Sequence, residues 1–409
     1  MNRYRMLLLL LVAVTTGAVG SGRALWWGVA GAIAALLSIA ALWSWSSIHW
    51  LRISRRSFMR TATVGDVFDE EFRLANLSAL PRLWVEVRDH STLPSHHASR
   101  VVNSIGRRNW RGWHVRTLLT RRGRYQLGPV DVRSGDPLGV FQVHRSVPII
   151  NTLLVYPYTA LLRSFPFPIS ALPDGEALRR RTQTVTASAS GVREYAPGDG
   201  IRRIHWPSSA RRQRLMVKEF ELDPTADVQI VLDLEYAAHT ACIENGENDD
   251  GLVLPRSSEE YAVSAAASCA RFFLEQGRST GLIAVGSRRE IIAADRGERQ
   301  REHIMETLAA IEANGALSFA YVLATECASL PRGTTLVLIS PSTQHTWAEA
   351  AQELVHGGVH VVAIAIDPAG FTPPDADTNN HSTVIAALAD AGAVVRVLRY
   401  GDDLQMALA

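Results

Sequence analysis

Lysine occurs once in 409 residues, at Lys218, and arginine supplies the other 41 of the 42 basic side chains. Base composition imposes biases of this kind. It still leaves Lys218 as the one compact, strongly hydrated ammonium, a group that a planar guanidinium does not replace. Cysteine is nearly as scarce. Cys242, Cys269 and Cys327 stand far apart and form no C-x-x-C pair, which argues against a disulfide framework or a zinc site and fits a reducing compartment. No P-loop, G-x-G-x-x-G or H-E-x-x-H is present, so ATP, dinucleotide and zincin chemistry have no support, and no G-x-S-x-G elbow surrounds Ser208 or Ser209. Hydrophobic residues at 47 % against charged residues at 20 % fill sizeable cores, which excludes extensive disorder over a length that calls for two or three domains.

Long apolar runs stand at the start of the chain. Met6 to Gly20 is apolar, Ser21 to Arg23 is a break, and Ala24 to Trp43 is an uncharged run of the length a bilayer-spanning helix requires. Arg3 and Arg5 precede the pair, Arg52, Arg55, Arg56 and Arg60 follow it, and Arg23 alone lies between. By the positive-inside rule a helical hairpin then has both ends in the cytoplasm. The competing arrangement, a cleaved signal peptide followed by one span, would leave the rest of the chain outside. Trp26, Trp27, Trp43, Trp45 and Trp50 fit interfacial positions around the second helix.

From Thr61 to about Pro157 the pattern changes to short alternating runs separated by Pro, Gly and Asp turns, which predicts an antiparallel β-sandwich. The DPLG of Asp136 to Gly139 reads as a structural turn. Arg100 to Tyr125 carries eight arginines and no acid, with Trp110, Trp113 and Tyr125 interleaved. Three readings fit that stretch: a solvated strand face, contact with an anionic leaflet or acidic partner, and nucleic acid. On a membrane-tethered module the last is not expected.

Gly191 to Glu221 is the stretch around which the chain is organised. It packs seven basic residues with four acids (Glu194, Asp199, Glu219, Glu221), and such density does not suit a linker. Together with Arg121 to Phe141, this segment resembles the bacterial family known as domain of unknown function fifty-eight. The pattern R-E-Y-x-P-G-D, R-x-I-H-W, S-A-R and L-x-V-K-E-F is carried here by Arg193, Glu194, Tyr195, Pro197, Gly198, Asp199, Arg202, Ile204, His205, Trp206, Ser209, Ala210, Arg211, Leu215, Val217, Lys218, Glu219 and Phe220. The resemblance implies the order membrane hairpin, immunoglobulin-like β module, signature and von Willebrand A-like α/β module, in a membrane-bound partner of MoxR-type AAA ATPases.

The residues themselves admit three roles for the signature. Arginine–carboxylate pairs can clamp the β module to the α/β module. The surplus positive charge, with Trp206 as anchor, can dock a partner or an anion. His205 with Asp199 or Glu194, near Ser208 and Ser209, holds the residue types of a hydrolase. Asp199 is placed to cap the segment Gly200 to Trp206, and Leu215 to Phe220 reads as a strand.

From Ala226 onward, strands alternate with helices: Asp227 to Leu234, Gly281 to Gly286, Thr334 to Ser340, Val359 to Ile366 and Val394 to Leu398, with helices about 258–277, 298–313, 318–329, 347–356 and 383–391. Continuous apolar strands predict a doubly wound, mostly parallel sheet covered on both faces, with ligands at the carboxyl ends of its strands. Ser257 and Glu260 read as a capping box. A metal-binding von Willebrand A domain would end its first strand D-x-S-x-S, but here Asp233 is followed by Leu234, Glu235, Tyr236 and Ala237, and Ser340 stands where an aspartate would help. Asp233 and Glu235 are thus weak candidates for a magnesium ion. No other cofactor is expected.

The expected architecture is residues 1–60 hairpin and basic flank, 61–160 sandwich, 161–225 linker and signature, and 226–409 α/β module. The expected role is a two-pass inner-membrane scaffold, with its soluble domains in the cytoplasm, that binds a protein partner without enzymatic activity. A hydrolase centred on His205 and an exported binding protein are the alternatives.

Overall fold

The computed structural model describes residues 3–166, 189–194, 206–220, 227–240, 254–371 and 380–409. The chain divides into two compact units. One comprises Met1–Thr159, Ile243–Ala267 and Met305–Ile311; the other comprises Ala160–Cys242, Ser268–Ile304 and Glu312–Ala409.

In the first unit α1 (Arg3–Ser21) and α2 (Ala24–His49) fold back on each other through a turn in which Gly22 takes a φ of 67°. Both are long and apolar enough to cross a membrane. Ala24 to Trp43 supplies 20 residues, about 30 Å of helix, which is the thickness of a hydrocarbon core. Beyond Trp43 the helix belongs to the strands. Ser44, Ser47 and Ile48 are buried, and the Ser44 hydroxyl donates to the Phe141 carbonyl at 3.0 Å. Tyr4, near the start of α1, stacks on Phe141 with ring centroids 6.1 Å apart, so both ends of the hairpin meet the same loop.

Arg82 locks this joint. Its buried guanidinium donates to the Ser46 carbonyl at 2.6 Å, to the Ser46 hydroxyl at 3.3 Å and to the Ser78 hydroxyl at 3.0 Å. A cation on last-turn carbonyls satisfies groups that a helix end leaves open. Only Trp50 separates α2 from β1 (Leu51–Ser57). Residues 51–57, predicted as basic flank, are therefore the first strand. Arg55, counted among the flanking cations, has a fully buried side chain because carboxylates of neighbouring strands enclose it.

The strands continue as β2 (Thr61–Thr63), β3 (Val67–Asn76), β4 (Arg82–Asp89), β5 (Arg100–Ile105), β6 (Trp110–Leu118), β7 (Gly123–Leu127), β8 (Val130–Gly135), β9 (Gln142–Val147) and β10 (Asn151–Tyr156). They form sheets β1-β3-β6, β5-β4-β8-β9 and β2-β10-β7, antiparallel except for the β2–β10 pair. Alternation decides which face is buried: Phe68, Glu70, Phe72, Leu74 and Asn76 of β3 point inward. Phe72, Leu74 and Trp113 of one sheet share a core with Val85, Val87, Val130 and Val132 of another. Asp136 shapes the DPLG turn by accepting the N–H groups of Leu138 at 2.9 Å, Val140 at 3.3 Å and Phe141 at 2.6 Å, a structural role.

The second unit holds β11 (Ala189–Glu194), α3 (Trp206–Arg212), β12 (Met216–Phe220), β13 (Val228–Leu232), β14 (Thr280–Val285), β15 (Arg289–Asp295), β16 (Thr335–Ser340), β17 (His360–Ile366) and β18 (Val394–Leu398). Its helices are α4 (Ser258–Glu275), α5 (Glu298–Ala310), α6 (Phe319–Val322), α7 (Thr346–His356), α8 (Asn380–Asp390) and α9 (Leu404–Ala407), the first two shared in sequence with the other unit. The sheet order is β15-β14-β13-β16-β17-β18, parallel except for the β14–β15 pair. Every residue of β13, β14 and β16 is buried, as a sheet covered on both faces demands.

Three local expectations change. β15 stands where the sequence predicts no strand, because its exposed edge carries one fully buried residue, Ile292, in place of an apolar run. The helix expected over 318–329 is α6 followed by a π-helical turn at Leu323–Cys327, in which the Thr325 hydroxyl donates back to the Tyr321 carbonyl at 2.9 Å. Ser257 and Glu260 form no reciprocal box, since the Ser257 N–H donates to Pro255 at 2.7 Å and Glu260 pairs with Arg122.

Candidate functional site

Strand order singles out one place on the main sheet. β14 lies on one side of β13 and β16 on the other, so successive connections diverge there and leave a crevice at the strands' carboxyl ends. Asp233 follows β13 and Ser340 ends β16; both are buried. The Ser340 hydroxyl donates to Asp233 Oδ2 at 2.6 Å, and the Glu235 N–H donates to Oδ1 at 3.0 Å. His239 places Nε2 2.9 Å from the Asp233 carbonyl. Behind Ser340, the Ser342 N–H donates to its hydroxyl at 2.9 Å and the buried Trp347 indole donates to the Ser342 carbonyl at 3.0 Å, fixing the loop.

Burial pushes the Asp233 carboxyl up to about 7 against the Ser340 hydroxyl and the Glu235 N–H, which pull it down, while the Glu235 charge adds to the rise. At neutral pH the group is poised between acid and carboxylate. That is the signature of a carboxyl desolvated without a cation.

The donor set does not make a magnesium site. A hard dication wants six or more oxygens, several of them anionic. Both Asp233 oxygens already accept hydrogen bonds, the Ser340 hydroxyl points its proton at Asp233, and no group of three acidic, histidine or cysteine side chains that could hold a metal ion occurs among the described residues. Glu235 Oε2 is buried and without a hydrogen-bond partner among the described residues, and a lone carboxylate oxygen does not complete such a set.

Beside the crevice, the loop after β13 is laced to Gly315. Its N–H donates to the Leu234 carbonyl and its carbonyl accepts the Tyr236 N–H, both at 2.8 Å. A Cβ at Gly315 would lie 2.8 Å from the Leu234 oxygen and 3.0 Å from that of Val285, so only glycine fits. Next to it a cleft of about 320 Å³ is lined by Val285, Gly286, Leu317, Tyr321, Thr325 and Glu326. Glu326 takes Arg289 in a forked pair at 2.8 and 2.5 Å, which holds its carboxyl below the usual range. Tyr236 is 74 % exposed and Tyr321 is 55 % exposed. No motif marks this cleft. The available sequence signal was G-S-R between apolar runs, the hairpin that turns β14 into β15 and delivers Arg289.

The signature is only partly described. Arg193 and Glu194 lie in β11, Trp206 and Arg211 in α3, and Lys218 and Glu219 in β12; Tyr195, Pro197, Gly198, Asp199, Arg202 and His205 lie outside the described residues. β11 pairs antiparallel with β12, setting Val192 opposite Lys218 and Arg193 opposite Val217, so the two ends of the motif form one ribbon. α3 spans Trp206–Arg212, just past the segment that Asp199 was expected to cap. Gln213, at φ 51°, turns the chain into β12, and the buried Ser209 hydroxyl accepts the Met216 N–H at 2.8 Å. That bond ties helix to strand and removes Ser209 from reach of a substrate. Arg211 is exposed.

Arginine–carboxylate clamps of the kind expected at the signature occur in the first unit. Arg55 donates to Glu70 at 2.8 and 2.6 Å and to Asp89 at 3.0 Å, with His96 Nε2 3.3 Å from Glu70 and 3.5 Å from Asp89. Arg122 donates to Glu259 at 2.6 Å and to the carbonyls of Leu308 and Ile311 at 3.0 Å each, and pairs with Glu260.

The family described as "Protein of unknown function DUF58" matches residues 191–376. The uncharacterized protein YeaD of Bacillus subtilis (strain 168) is 26 % identical over 198 residues, which is 48 % of this chain and 44 % of that relative, so less than half of the relative's length is spanned. Among solved structures, the conserved hypothetical protein BatB from Bacteroides thetaiotaomicron aligns over 44 % of this chain and 91 % of its own at 12 % identity and a TM-score of 0.31. The CARDB domain of PF1109 from Pyrococcus furiosus aligns over 26 % and 91 % at 14 % identity and a TM-score of 0.20. At such scores neither likeness bears on fold or function.

Proposed function

We propose that this chain is a membrane-anchored, non-catalytic adaptor that presents its α/β unit to a protein partner at the cytoplasmic face. The observation that carries the reading is the joint at Ser44–Leu51: a helix of bilayer length runs into β1 with one intervening residue, and Arg82 fastens its last turn. A partner bound by the rest of the chain is thereby kept at the membrane. Arg3 and Arg5 before the hairpin and Arg52 and Arg56 after it, against Arg23 in its turn, favour cytoplasmic ends.

The finer fold assignments belong to the same proposal. Sheets packed over one core suit an immunoglobulin-like sandwich. The order β14-β13-β16-β17-β18 with an antiparallel edge strand suits a von Willebrand A-like module. Exposed Tyr236 and Tyr321 beside a cleft are of the type that anchors protein interfaces. The resemblance at the signature nominates a MoxR-type AAA ATPase as the partner.

Affinity purification from membranes tests this. The wild-type chain is expected to carry an ATPase with it, and Arg193→Ala/Arg202→Ala/Arg211→Ala or Tyr236→Ala/Tyr321→Ala to lose it. Substrate turnover by the purified chain that vanishes on changing His205 or Asp199 would overturn the reading, as would protease access to the soluble part from outside intact cells.

A further inference from the structure

We propose that the end of the β unit beside the exit of α2 is a lipid-reading platform that rests on anionic headgroups, a second membrane contact beyond the hairpin. The inference rests on the membrane reading of α1 and α2. Two loops build the platform, 77–81 between β3 and β4 and 106–109 between β5 and β6. The registers Leu51 opposite Asn76 and Ala75 opposite Trp110 bring both to the level at which α2 enters β1.

Hydrogen bonds stitch them together. The Leu77 N–H donates to the Trp50 carbonyl at 2.9 Å and the Arg108 N–H to that of Ser78 at 3.1 Å. The Asn76 amide donates to the carbonyls of Leu80 at 2.8 Å and Gly106 at 2.9 Å. Ser78 also takes Arg82, which holds α2, so the platform cannot tilt independently of the helix.

What this rigid end presents is unusual for a solvated surface. Trp50, Leu77, Leu80 and Trp110 are all exposed, Trp50 and Trp110 by about half. Arg107 and Arg108 are exposed beside them, and neither loop contains an acid. The Arg73 guanidinium lies 4.1 Å above the Trp110 ring. Tryptophan and leucine flanked by arginine are what the headgroup region takes up, and the missing acids select an anionic leaflet over a neutral one. The position leaves little choice: with Ala24–Trp43 in the hydrocarbon, Trp50 and the loops bonded to it fall at headgroup depth.

The test uses the full chain in nanodiscs of phosphatidylcholine alone, in discs with about a third phosphatidylglycerol, and in detergent, read by amide hydrogen exchange. Amides of 77–80 and 106–110 are expected to exchange about tenfold more slowly in anionic than in neutral discs. Arg107→Gln/Arg108→Gln is expected to erase that difference while co-flotation with vesicles and the unfolding temperature stay at wild-type values. Equal exchange in both discs overturns the platform while leaving the hairpin intact. Equal protection in detergent overturns it too, by assigning the patch to a protein contact. A wild-type chain that fails to float sinks the membrane reading and the platform together.

Discussion

Glu70 of the first unit and Asp233 of the second are buried carboxylates in opposite states. Within the strands of the first, Glu70 is fully enclosed. Burial alone would push it up, but hydrogen bonds from His96 and Arg55, with the charges of both, outweigh that and hold its carboxyl below the ordinary value. In the second, Asp233 is as deeply enclosed with only a hydroxyl and an N–H for company, and its carboxyl stands near 7. A compensated carboxylate holds structure together. One left without a cation at a strand's carboxyl end is instead a liability that a fold keeps where something else uses it.

The largest expected effect comes from uncovering the first network. Arg55→Ala leaves Glu70 and Asp89 buried with only His96 and the Ser91 hydroxyl beside them and should lower unfolding stability by about 3–5 kcal/mol. Arg55→Met with Glu70→Leu leaves one stranded carboxylate, Asp89, in place of two and should lose less than the single change. Denaturant unfolding of the two variants decides it. A double variant as unstable as the single one would break the contrast, since the network would then owe its effect to packing and not to charge.

Asp233 should behave in the reverse sense. Its folded value near 7 lies above the ordinary 3.8, so the folded state holds the proton more tightly than the unfolded chain. The stability this confers is complete below pH 4 and is lost as pH rises toward and through 7, a swing of up to roughly 4 kcal/mol for a shift of about three units. Asp233→Asn keeps the Glu235 N–H bond and cannot ionise. It should flatten that part of the curve and exceed wild-type stability at pH 8 by about 1–3 kcal/mol, against little difference at pH 4. Thermal unfolding of both proteins between pH 4 and 8 measures this, and parallel curves would place Asp233 with the compensated group.

Gly315 sharpens the same contrast by testing whether the crevice is rigid. Gly315→Ala drives a methyl to 2.8 Å from the Leu234 carbonyl oxygen, and backbone must move. A loss of about 1–3 kcal/mol is expected, with faster hydrogen exchange at Tyr236, whose N–H bonds to Gly315.

How much of this was legible depended on where each residue's neighbours lie. The hairpin and the strands β13, β16 and β17 could be read because continuous apolar runs declare themselves locally. Asp233 could be found by its place at a strand end, but its perturbed carboxyl could not, because that depends on Ser340, 107 residues away. Arg55 was misread as a membrane-flanking cation since its partners Glu70, Asp89 and His96 follow 15, 34 and 41 residues later. A buried and an exposed arginine look alike until the sheet register is known. Arg122 lies within the recognisable Arg121–Phe141 stretch, yet its role at Glu259 and Glu260 came only with the fold.

The smallest expected effect belongs to Arg289 and Glu326. Their pair has ideal fork geometry, but the Arg289 side chain is 65 % exposed, so solvent and salt screen it and both side chains lose rotamer freedom to make it. Arg289→Ala, Glu326→Ala and the double change should leave the unfolding midpoint unchanged at low and at high salt. Should the cleft between β14 and the π-helical turn receive a partner, the same variants would still alter partner retention, because the pair sets the charge at the cleft's mouth. A stability change comparable to that of Arg55→Ala would mean that the second unit also rests on paired charge, and the contrast between Glu70 and Asp233 would no longer distinguish the two units.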